Sequence, residues 1–230
     1  MRDGSDATGA TRRTVAEDVY RALKRDIIML RHRPGASLTE AELATLYGSS
    51  RVPVRESCQR LQQDGLLTSL PYKGYFVNQI SLKEIRNSFD LRELLETHAI
   101  ALTAQYATAE DLSRLEDLAT IQYTYHDWTS YADFLDRNFD FHIQLAGLCR
   151  NDRLVVVLRD LLAAMQRFFF LGLDLGDFAA EMRGEHEELV HQLQRGTPED
   201  AAGCLRRQIQ KSRDRILRAL TDGRVDLPLE

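Results

Sequence analysis

The 230-residue sequence has few cysteines and no long apolar run. Its three cysteines, Cys58, Cys149 and Cys204, are far apart and form no C-x-x-C pair. This spacing argues against a disulfide framework or a zinc ribbon and indicates a reducing compartment. The N-terminal residues are polar and lack the apolar core of a secretion signal. The most apolar stretch, residues 161–173, contains Arg167 and is too short to span a bilayer. We therefore expect a cytoplasmic protein without a membrane partner.

Sequence signatures of common enzyme classes are also missing. The chain has no G-x-S-x-G, P-loop or G-x-G-x-x-G pattern for nucleophilic or nucleotide chemistry. His186 and His191 are five residues apart, whereas the H-E-x-x-H zinc-protease pattern needs a spacing of four. Strands do not alternate with helices, which argues against an α/β enzyme fold. These absences predict a protein that is not an enzyme.

Charge is unevenly distributed along the chain. The formal net charge is −5, yet residues 1–79 carry 12 Lys and Arg against 9 Asp and Glu. A mildly basic N-terminal third on an acidic body suits phosphate contacts made by one domain only. Solvated helix faces often differ by a few charges, so this asymmetry does not identify a nucleic-acid-binding protein by itself.

Capping signals divide the first third of the chain into short helices. Residues 1–13 are rich in Gly, Ser, Thr, Asp and Arg without periodicity, which predicts a disordered arm. Thr14 and Thr39 each begin a capping box with an acidic residue three positions later. Ser49 or Ser50 is placed to cap a third helix with a proline in its first turn. Three helices are therefore predicted before residue 65.

A tight turn and a hairpin complete the domain. Gly48 is a natural left-handed residue between the second and third helices, which makes them a helix-turn-helix pair. Two short strand-like pieces, residues 66–69 and 75–77, follow the third helix. Three helices and a β-hairpin predict a winged helix-turn-helix, a DNA-binding domain, over residues 14–78.

The third predicted helix presents two arginines in its first turns. Arg51 and Arg55 are four residues apart and share a face, opposite Val54 and Cys58. In a helix-turn-helix pair these N-terminal positions reach base edges in the major groove, and arginine reads guanine with two hydrogen bonds. Ser50 and the backbone amides at the helix start suit a phosphate.

Other basic residues flank this helix. Arg33, in the turn before the second helix, is a further phosphate candidate, and Lys73 and Gly74 would place the hairpin tip against the DNA backbone or minor groove. The alternative is an ordinary solvated helix whose arginines pair with nearby acids such as Glu56. The tight turn before the helix and the wing after it favour DNA binding.

Four segments of this domain, residues 38–44, 50–56, 61–67 and 73–74, resemble the GntR-family winged helix. The resemblance implies a homodimer on an inverted-repeat operator. It also implies base or backbone contacts from Ser50, Arg51, Val52, Arg55, Lys73 and Gly74. Many relatives carry a DNA-contacting arginine where this chain has Ala41, so the resemblance does not carry over the base preference.

The remainder of the chain shows only helical signals. Six capped helices predict a C-terminal all-α antiparallel bundle over residues 79–222, followed by a tail, 223–230. The protein is therefore expected to be mainly α. The predicted helices begin near Ser81, Thr108, Ser130, Asn151, Phe178 and Thr197.

Arg92 and Glu96 form an i, i+4 pair among apolar neighbours on the first bundle helix. Spacing alone favours a surface salt bridge that contributes a few tenths of a kcal/mol. The functional alternative is an arginine that points into the bundle and receives a carboxylate.

A second set of polar residues is spread over three predicted helices. Asn138 and His142 lie four apart on one helix face, His186 lies on another helix and Gln208 on the last. Four N or O donors from three helices can converge on a metal or a polar effector. The alternative is that both histidines are hydrogen-bonded helix residues without a ligand.

This part of the chain resembles the FCD ligand-binding domain at residues 89–96, 138–142 and 185–186 and at Asn151. The resemblance implies an all-helical cavity for a small organic acid, with Arg92 as the carboxylate partner. Metal-binding members usually offer one Asp and three His. Asn138 and Gln208 replace two of these ligands, which weakens the case for Zn²⁺ or Ni²⁺ and leaves metal binding open.

We therefore expect a ligand-responsive DNA-binding regulator whose linker, residues 78–81, carries the coupling between effector and DNA. A metal-dependent enzyme built on the bundle is the alternative, with Asp140 or Glu185 as the nearby base. A structural adaptor that no longer binds a ligand is the third possibility.

Overall fold

The computed structural model describes residues 14–173 and 176–221, which form nine helices and three short strands. The predicted arm, 1–13, and the predicted tail, 223–230, lie outside the described residues. The mainly α architecture, with a winged helix-turn-helix before a helical bundle, is confirmed. The elements are α1 Val15–Ile28, β1 Ser37–Leu38, α2 Glu40–Leu46, α3 Arg51–Gln63, β2 Leu67–Leu70, β3 Gly74–Val77, α4 Leu82–Tyr106, α5 Ala109–Ala119, α6 Trp128–Gly147, α7 Asp152–Leu173, α8 Ala179–Arg195 and α9 Pro198–Thr221.

Local capping explains where the first helices begin. The Thr14 hydroxyl accepts a hydrogen bond from the Glu17 amide, 3.2 Å away. Thr39 and Glu42 form the reciprocal capping box that the sequence predicts. Helix α1 buries Val19 and other apolar residues of the predicted face, although Val15 at the start of that face is 59% exposed.

The predicted hairpin is one part of a three-stranded antiparallel sheet with the order β1-β3-β2. Strand β2 pairs with β3 as expected, with Leu67 opposite Val77. The sequence prediction missed β1, whose Leu38 pairs with Tyr75. A two-residue strand has too short a pattern to be recognised, and only its partner strand defines it. The sheet ties the wing to the segment before α2.

Residues 14–78, here called the reading head, have their own apolar core. Val54, Cys58 and Leu61 of α3 are fully buried in it. The Ser57 hydroxyl donates to the Ala16 carbonyl at 2.9 Å, and the Tyr20 hydroxyl donates to Asp64 at 2.5 Å. These contacts fix α3 against α1.

Helices α4 to α9 form the predicted bundle. Asn151 accepts a hydrogen bond from the Leu154 amide at 3.1 Å and begins α7 as expected. Helix α6, however, begins two residues before the predicted Ser130. Its cap is Asp127, which accepts from the amides of Thr129 and Ser130. Ser130 instead accepts from the Thr124 amide at 2.7 Å.

The reading head contacts the bundle core through the end of α1 and through the linker after β3. Ile28 and Met29, at the end of α1, are buried in the bundle core and not in the core of the head. Ile80, in the linker between β3 and α4, is buried in the same core. For the residues that the structure describes, no helix combines the length and apolarity needed to cross a membrane.

Candidate functional site

The reading helix α3 follows a sharp turn. Gly48 has φ +58°, a left-handed conformation that glycine adopts without steric cost, and the Ser49 amide donates to the Ala44 carbonyl at 2.9 Å. Ser50 is the N-cap residue, but its side chain makes no capping hydrogen bond, contrary to expectation. Its exposed hydroxyl is therefore available to a ligand such as a phosphate.

The predicted reading residues lie together on the exposed side of α3. Val52 is 64% exposed, and Arg51 and Arg55 are exposed beside it. Arg55 donates two hydrogen bonds of 2.7 Å to Glu40 at the start of α2, and this contact lowers the pKa of Glu40. Arg51 has no hydrogen-bond partner within the part of the chain that the structure describes. The two arginines thus differ: Glu40 binds Arg55 through two hydrogen bonds, whereas it interacts with Arg51 only electrostatically.

Backbone geometry at the wing tip requires a glycine. Gly74 has φ +87°, and a Cβ atom there would lie 2.8 Å from the Leu38 carbonyl oxygen. Tyr72, which the sequence analysis did not select, is fully exposed with φ +64°, and Lys73 beside it is exposed. The tip therefore presents an aromatic ring and a cation. Arg33 is exposed in the turn before β1.

The six residues predicted to bind an effector are all buried in the bundle, on four helices. The Arg92–Glu96 pair forms, but inside the bundle, so the surface position that spacing favours is wrong. Their exposed fractions are 4% for Arg92, 2% for Glu96, 8% for Asn138, 4% for His142, 4% for His186 and 8% for Gln208.

Arg92, Glu96 and His142 form a closed triangle, here called the bundle triad. Arg92 Nε donates to Glu96 Oε1, and Arg92 Nη2 lies 3.2 Å from His142 Nε2. Because a guanidinium has no acceptor, His142 Nε2 accepts this hydrogen bond. His142 Nδ1 then faces Glu96 Oε2 at 2.8 Å, although their relative orientation does not make a hydrogen bond.

Burial of this site shifts the pKa values of its ionisable groups. Burial opposes the charged form of Glu96, but the adjacent Arg92 guanidinium outweighs it and holds the pKa of Glu96 at about 2. Burial, together with His142 and Arg92 nearby, lowers the pKa of His186 well below its usual value. The site therefore contains one carboxylate, one guanidinium and a neutral His186 imidazole.

Several polar atoms near the triad lack partners. His186, whose ring lies 5.5 Å from that of His142, has an unbonded Nδ1. Gln208 donates through Nε2 to the Glu185 carbonyl and leaves its buried Oε1 unbonded. Asn138, one turn before His142, makes no side-chain hydrogen bond with the described residues. Buried polar atoms without protein partners are costly, so these groups would be stabilised by hydrogen bonds to a polar ligand.

The bundle site is closed in this conformation. The space beside the triad, between α4, α6 and α9, has no room for a water molecule. This space is therefore too small for the small organic acid that the resemblance implies. Any molecule that binds in this space would have to separate the lining side chains, at a cost in packing.

A divalent metal fits this donor set poorly. Within residues 14–173 and 176–221, no three His, Cys, Asp or Glu side chains come together as metal ligands. Glu96 is already neutralised by Arg92, and His142 Nε2 faces that guanidinium. A dication would add two uncompensated positive charges to a buried site, so the Zn²⁺ or Ni²⁺ site stays a prediction.

The carboxylates named for the enzyme alternative do not meet in one site. Glu185 forms ion pairs of 3.0 Å with Arg215 and 3.2 Å with Lys211. Asp140 is exposed and faces a cleft between α1 and the bundle. Neither group lies as a free base beside the triad, so this geometry does not support a catalytic arrangement.

Arg167 is a buried residue to which the sequence analysis assigned no role. From α7 it donates to the Asn78 carbonyl at 2.8 Å and to Glu84 at 2.6 Å. Asn78 in turn donates to the Gly65 carbonyl at the end of α3 and accepts from Thr68 of β2. In the sequence, the signal that could have indicated a structural role for Arg167 was a charged residue within the most apolar stretch of the chain.

Comparison with protein-family models divides the chain into two parts. Residues 15–77 match the model described as bacterial regulatory proteins, gntR family, and residues 87–211 match the FCD domain. The Nta operon transcriptional regulator of Aminobacter aminovorans is 33% identical over 56% of this chain and 61% of its own length. The HTH-type transcriptional repressor RspR of Escherichia coli K12 is 26% identical over 79% of each chain.

Two solved structures share the fold over most of their length. E. coli McbR/YncC aligns with a TM-score of 0.72 and 22% identity, over 91% of this chain and 100% of its own. A putative GntR regulator from Rhodococcus sp. RHA1 aligns with a TM-score of 0.70 and 23% identity, over 88% and 97%. At this identity the likeness concerns the fold alone.

Proposed function

The chain belongs to the gntR family of bacterial regulatory proteins and carries an FCD domain, and on that premise we propose that an effector bound in its bundle controls how tightly a dimer binds operator DNA. It is a DNA-binding transcriptional regulator by family.

The exposed first turns of α3 support the proposed DNA contact, and this is the observation that carries the proposal. Ser50, Arg51 and Val52 lie immediately after a tight turn, unobstructed by other side chains, while the wing tip presents Lys73. Arg51 would read a guanine in the major groove, and Ser50 would contact a phosphate. Arg55 keeps N–H groups beyond those used by Glu40 for a second contact.

We infer a homodimer that binds an inverted repeat. A dimer places two reading helices in successive major-groove half-sites, about 34–36 Å apart. Large exposed apolar side chains mark candidate faces for self-association: Val156 and Val157 on α7 are 53% and 50% exposed, and Leu94 on α4 is 67% exposed. Adjacent exposed valines on a helix suit a hydrophobic contact better than solvent.

The effector is proposed to be a small organic acid with a second polar group. Arg92 Nη1 makes no hydrogen bond with the described residues, so it remains as a donor to an incoming carboxylate. The unbonded His186 Nδ1 and Gln208 Oε1 would bind a hydroxyl or similar group of the same molecule. Entry requires the closed site to open, and this opening is the change that DNA binding would sense.

We propose that Arg167 transmits a structural change in the bundle to the reading head. Arg92 lies over the Phe169 ring at 5.1 Å, and Phe169 packs edge-on against Phe89. Two residues earlier on α7, Arg167 binds the linker carbonyl of Asn78. A shift of α7 caused by effector binding would therefore reach the linker that anchors the wing and the end of α3.

Titration of the purified 230-residue chain against its own promoter and against random DNA of equal length, at moderate salt, tests the DNA-binding part. We expect promoter affinity at least about tenfold higher. Equal affinity for both DNAs would contradict a sequence-specific regulator.

A thermal-shift screen of small organic acids, with a chelator and then with Zn²⁺ or Ni²⁺, tests the effector. An acid that binds the folded chain raises its melting temperature. Such an acid should also change promoter affinity, and Arg92→Gln should abolish both effects. A melting shift that requires metal in the wild type would instead support the metal-assisted alternative.

A further inference from the structure

A cleft of about 490 Å³ separates α1 of the reading head from α6 and α7 of the bundle. Clefts of this size, at the junction of two structural units, are typical small-molecule sites. The cleft is distinct from the closed space beside the bundle triad and shares none of its residues. Its apolar lining consists of Ile28, Met29, Ala132, Leu135, Phe139 and Ala163.

The two walls of the cleft carry opposite charges that do not neutralise each other by contact. Helix α1 contributes Arg25 together with Arg21 and Lys24, each of which is already paired with a carboxylate of the reading head. Helix α6 contributes Asp136 and Asp140. In the part of the chain that the structure describes, Arg25, Asp136 and Asp140 make no ion pair. A dipolar molecule would neutralise both walls.

The two carboxylates on α6 favour a cation between them. Asp136 and Asp140 are one turn apart on one face, where like charges destabilise a helix. The cleft walls exclude part of the water around Asp136 and raise its pKa, although the residue remains accessible and Arg25 opposes this shift. An ammonium group bound here would relieve the repulsion.

A buried amide lines the same cleft independently of these charges. Gln166 of α7 is 7% exposed and makes no hydrogen bond with any described residue. Its amide atoms are not fully enclosed by protein, so a ligand in the cleft can reach them and must replace the hydrogen bonds that they make to solvent. Gln166 therefore offers a donor and an acceptor to a polar group held between the two charged walls.

We propose that this cleft binds a small zwitterion with an apolar body. Its ammonium group lies between Asp136 and Asp140, its carboxylate faces Arg25, and its body covers the apolar lining beside Gln166. The molecule would contact α1, which carries α3, as well as the bundle. This site is additional to the proposed effector site, and its occupation is measurable without DNA.

Isothermal titration calorimetry of the full chain with L-phenylalanine and with ε-aminocaproic acid tests the site. At least one of these zwitterions should bind with one-to-one stoichiometry. L-phenylalanine methyl ester, which keeps only the positive charge, and N-acetyl-L-phenylalanine, which keeps only the negative one, should each bind at least about tenfold more weakly. No heat from either zwitterion, or equal binding of the singly charged forms, overturns the proposal.

Substitutions of the cleft residues test whether the zwitterion binds in the cleft. Asp136→Asn combined with Asp140→Asn should weaken zwitterion binding at least about tenfold, and Gln166→Leu should also weaken it. Asp117→Asn, which removes an exposed carboxylate of α5 outside the cleft, is the matched control and should leave binding unchanged. Thermal melting confirms that each variant is folded. Binding that survives both cleft substitutions overturns the assignment, whatever the outcome of the promoter titration.

Discussion

Arg51 and Arg55 have the same side chain and lie one helical turn apart, but their surroundings differ. Glu40 restrains the Arg55 guanidinium with two hydrogen bonds, whereas Arg51 makes no hydrogen bond with the described residues and interacts with Glu40 only electrostatically. An exposed ion pair contributes little stability, so the effect of Glu40 is mainly to orient Arg55. In the proposed DNA contact, Arg51 would lose more rotamer entropy than Arg55 and would form a complete set of new hydrogen bonds.

Arg51→Ala should weaken binding to the specific operator by about 1–3 kcal/mol, because a two-hydrogen-bond contact to guanine is lost. Binding to random DNA should change much less. Fluorescence anisotropy on both DNAs measures the difference, with Arg195→Ala at the exposed end of α8 as control. Equal losses on both DNAs would mean that Arg51 contacts phosphate and not a base.

Glu96 links stability to pH because its pKa is lowered from 4.5 to about 2. A lowered carboxyl pKa stabilises the folded state above the unfolded-state value, and this contribution disappears as pH falls through the folded-state value. Its size is roughly 3 kcal/mol. Glu96→Gln should therefore lower the free energy of unfolding near neutral pH.

The difference between wild type and Glu96→Gln should narrow between about pH 5 and about pH 2, since protonated Glu96 resembles glutamine. Denaturant unfolding of both proteins across this range measures it. Other carboxylates titrate equally in both proteins and cancel in the comparison. A difference that stays constant with pH would show that Glu96 does not ionise in the folded chain.

At the scale of single elements, the wing depends on one backbone conformation. Gly74→Ala places a Cβ atom against the Leu38 carbonyl at a positive φ, which should cost about 1–3 kcal/mol of folding free energy. Gly184→Ala is the matched control, because this exposed position in α8 has open space around it. It should stabilise the helix by about 0.5–1 kcal/mol. Thermal unfolding of both variants shows whether each substitution lowers or raises the stability of the folded chain.

At the same scale, Arg167 connects helix α7 to the linker. Arg167→Gln removes the contacts to Asn78 and Glu84, so effector binding should change DNA affinity less than in wild type. Effector affinity and DNA affinity, each measured alone, should remain detectable. Arg153→Gln, at an exposed position of the same helix, should keep full coupling. If the effector changed the DNA affinity of Arg167→Gln as much as that of wild type, the coupling between the two sites would not depend on Arg167.

At the scale of the whole molecule, the proposed inverted-repeat site requires two copies of the chain. Val157→Glu should weaken self-association, because a charge in an apolar contact must be desolvated. Light scattering coupled to size exclusion should then report the 26.3 kDa monomer for the variant and twice that mass for wild type. Ser113→Glu, on exposed α5, controls for the added charge. A dimeric Val157→Glu chain would move the interface to another face.

Much of this architecture is readable from sequence because its signals are local. Thr14, Thr39 and Asn151 cap helices through hydrogen bonds that span three residues, so their spacing alone predicts where the helices begin. Local signals also mislead: Ser130 resembles a cap, but Asp127 competes for the same amides and begins α6 earlier. The two-residue strand β1 has no local pattern at all.

The sequence by itself determined the two-part architecture, the exposed arginines of α3 and the residue types available to the bundle site. Only the tertiary structure decided that Arg92 points inward, that its site is closed and that Arg167 contacts the linker 89 residues away. Helix starts and turn glycines depend on hydrogen bonds within a few residues. Burial, ion-pair partners and clefts depend on how distant faces pack, and one helical periodicity is compatible with many such packings.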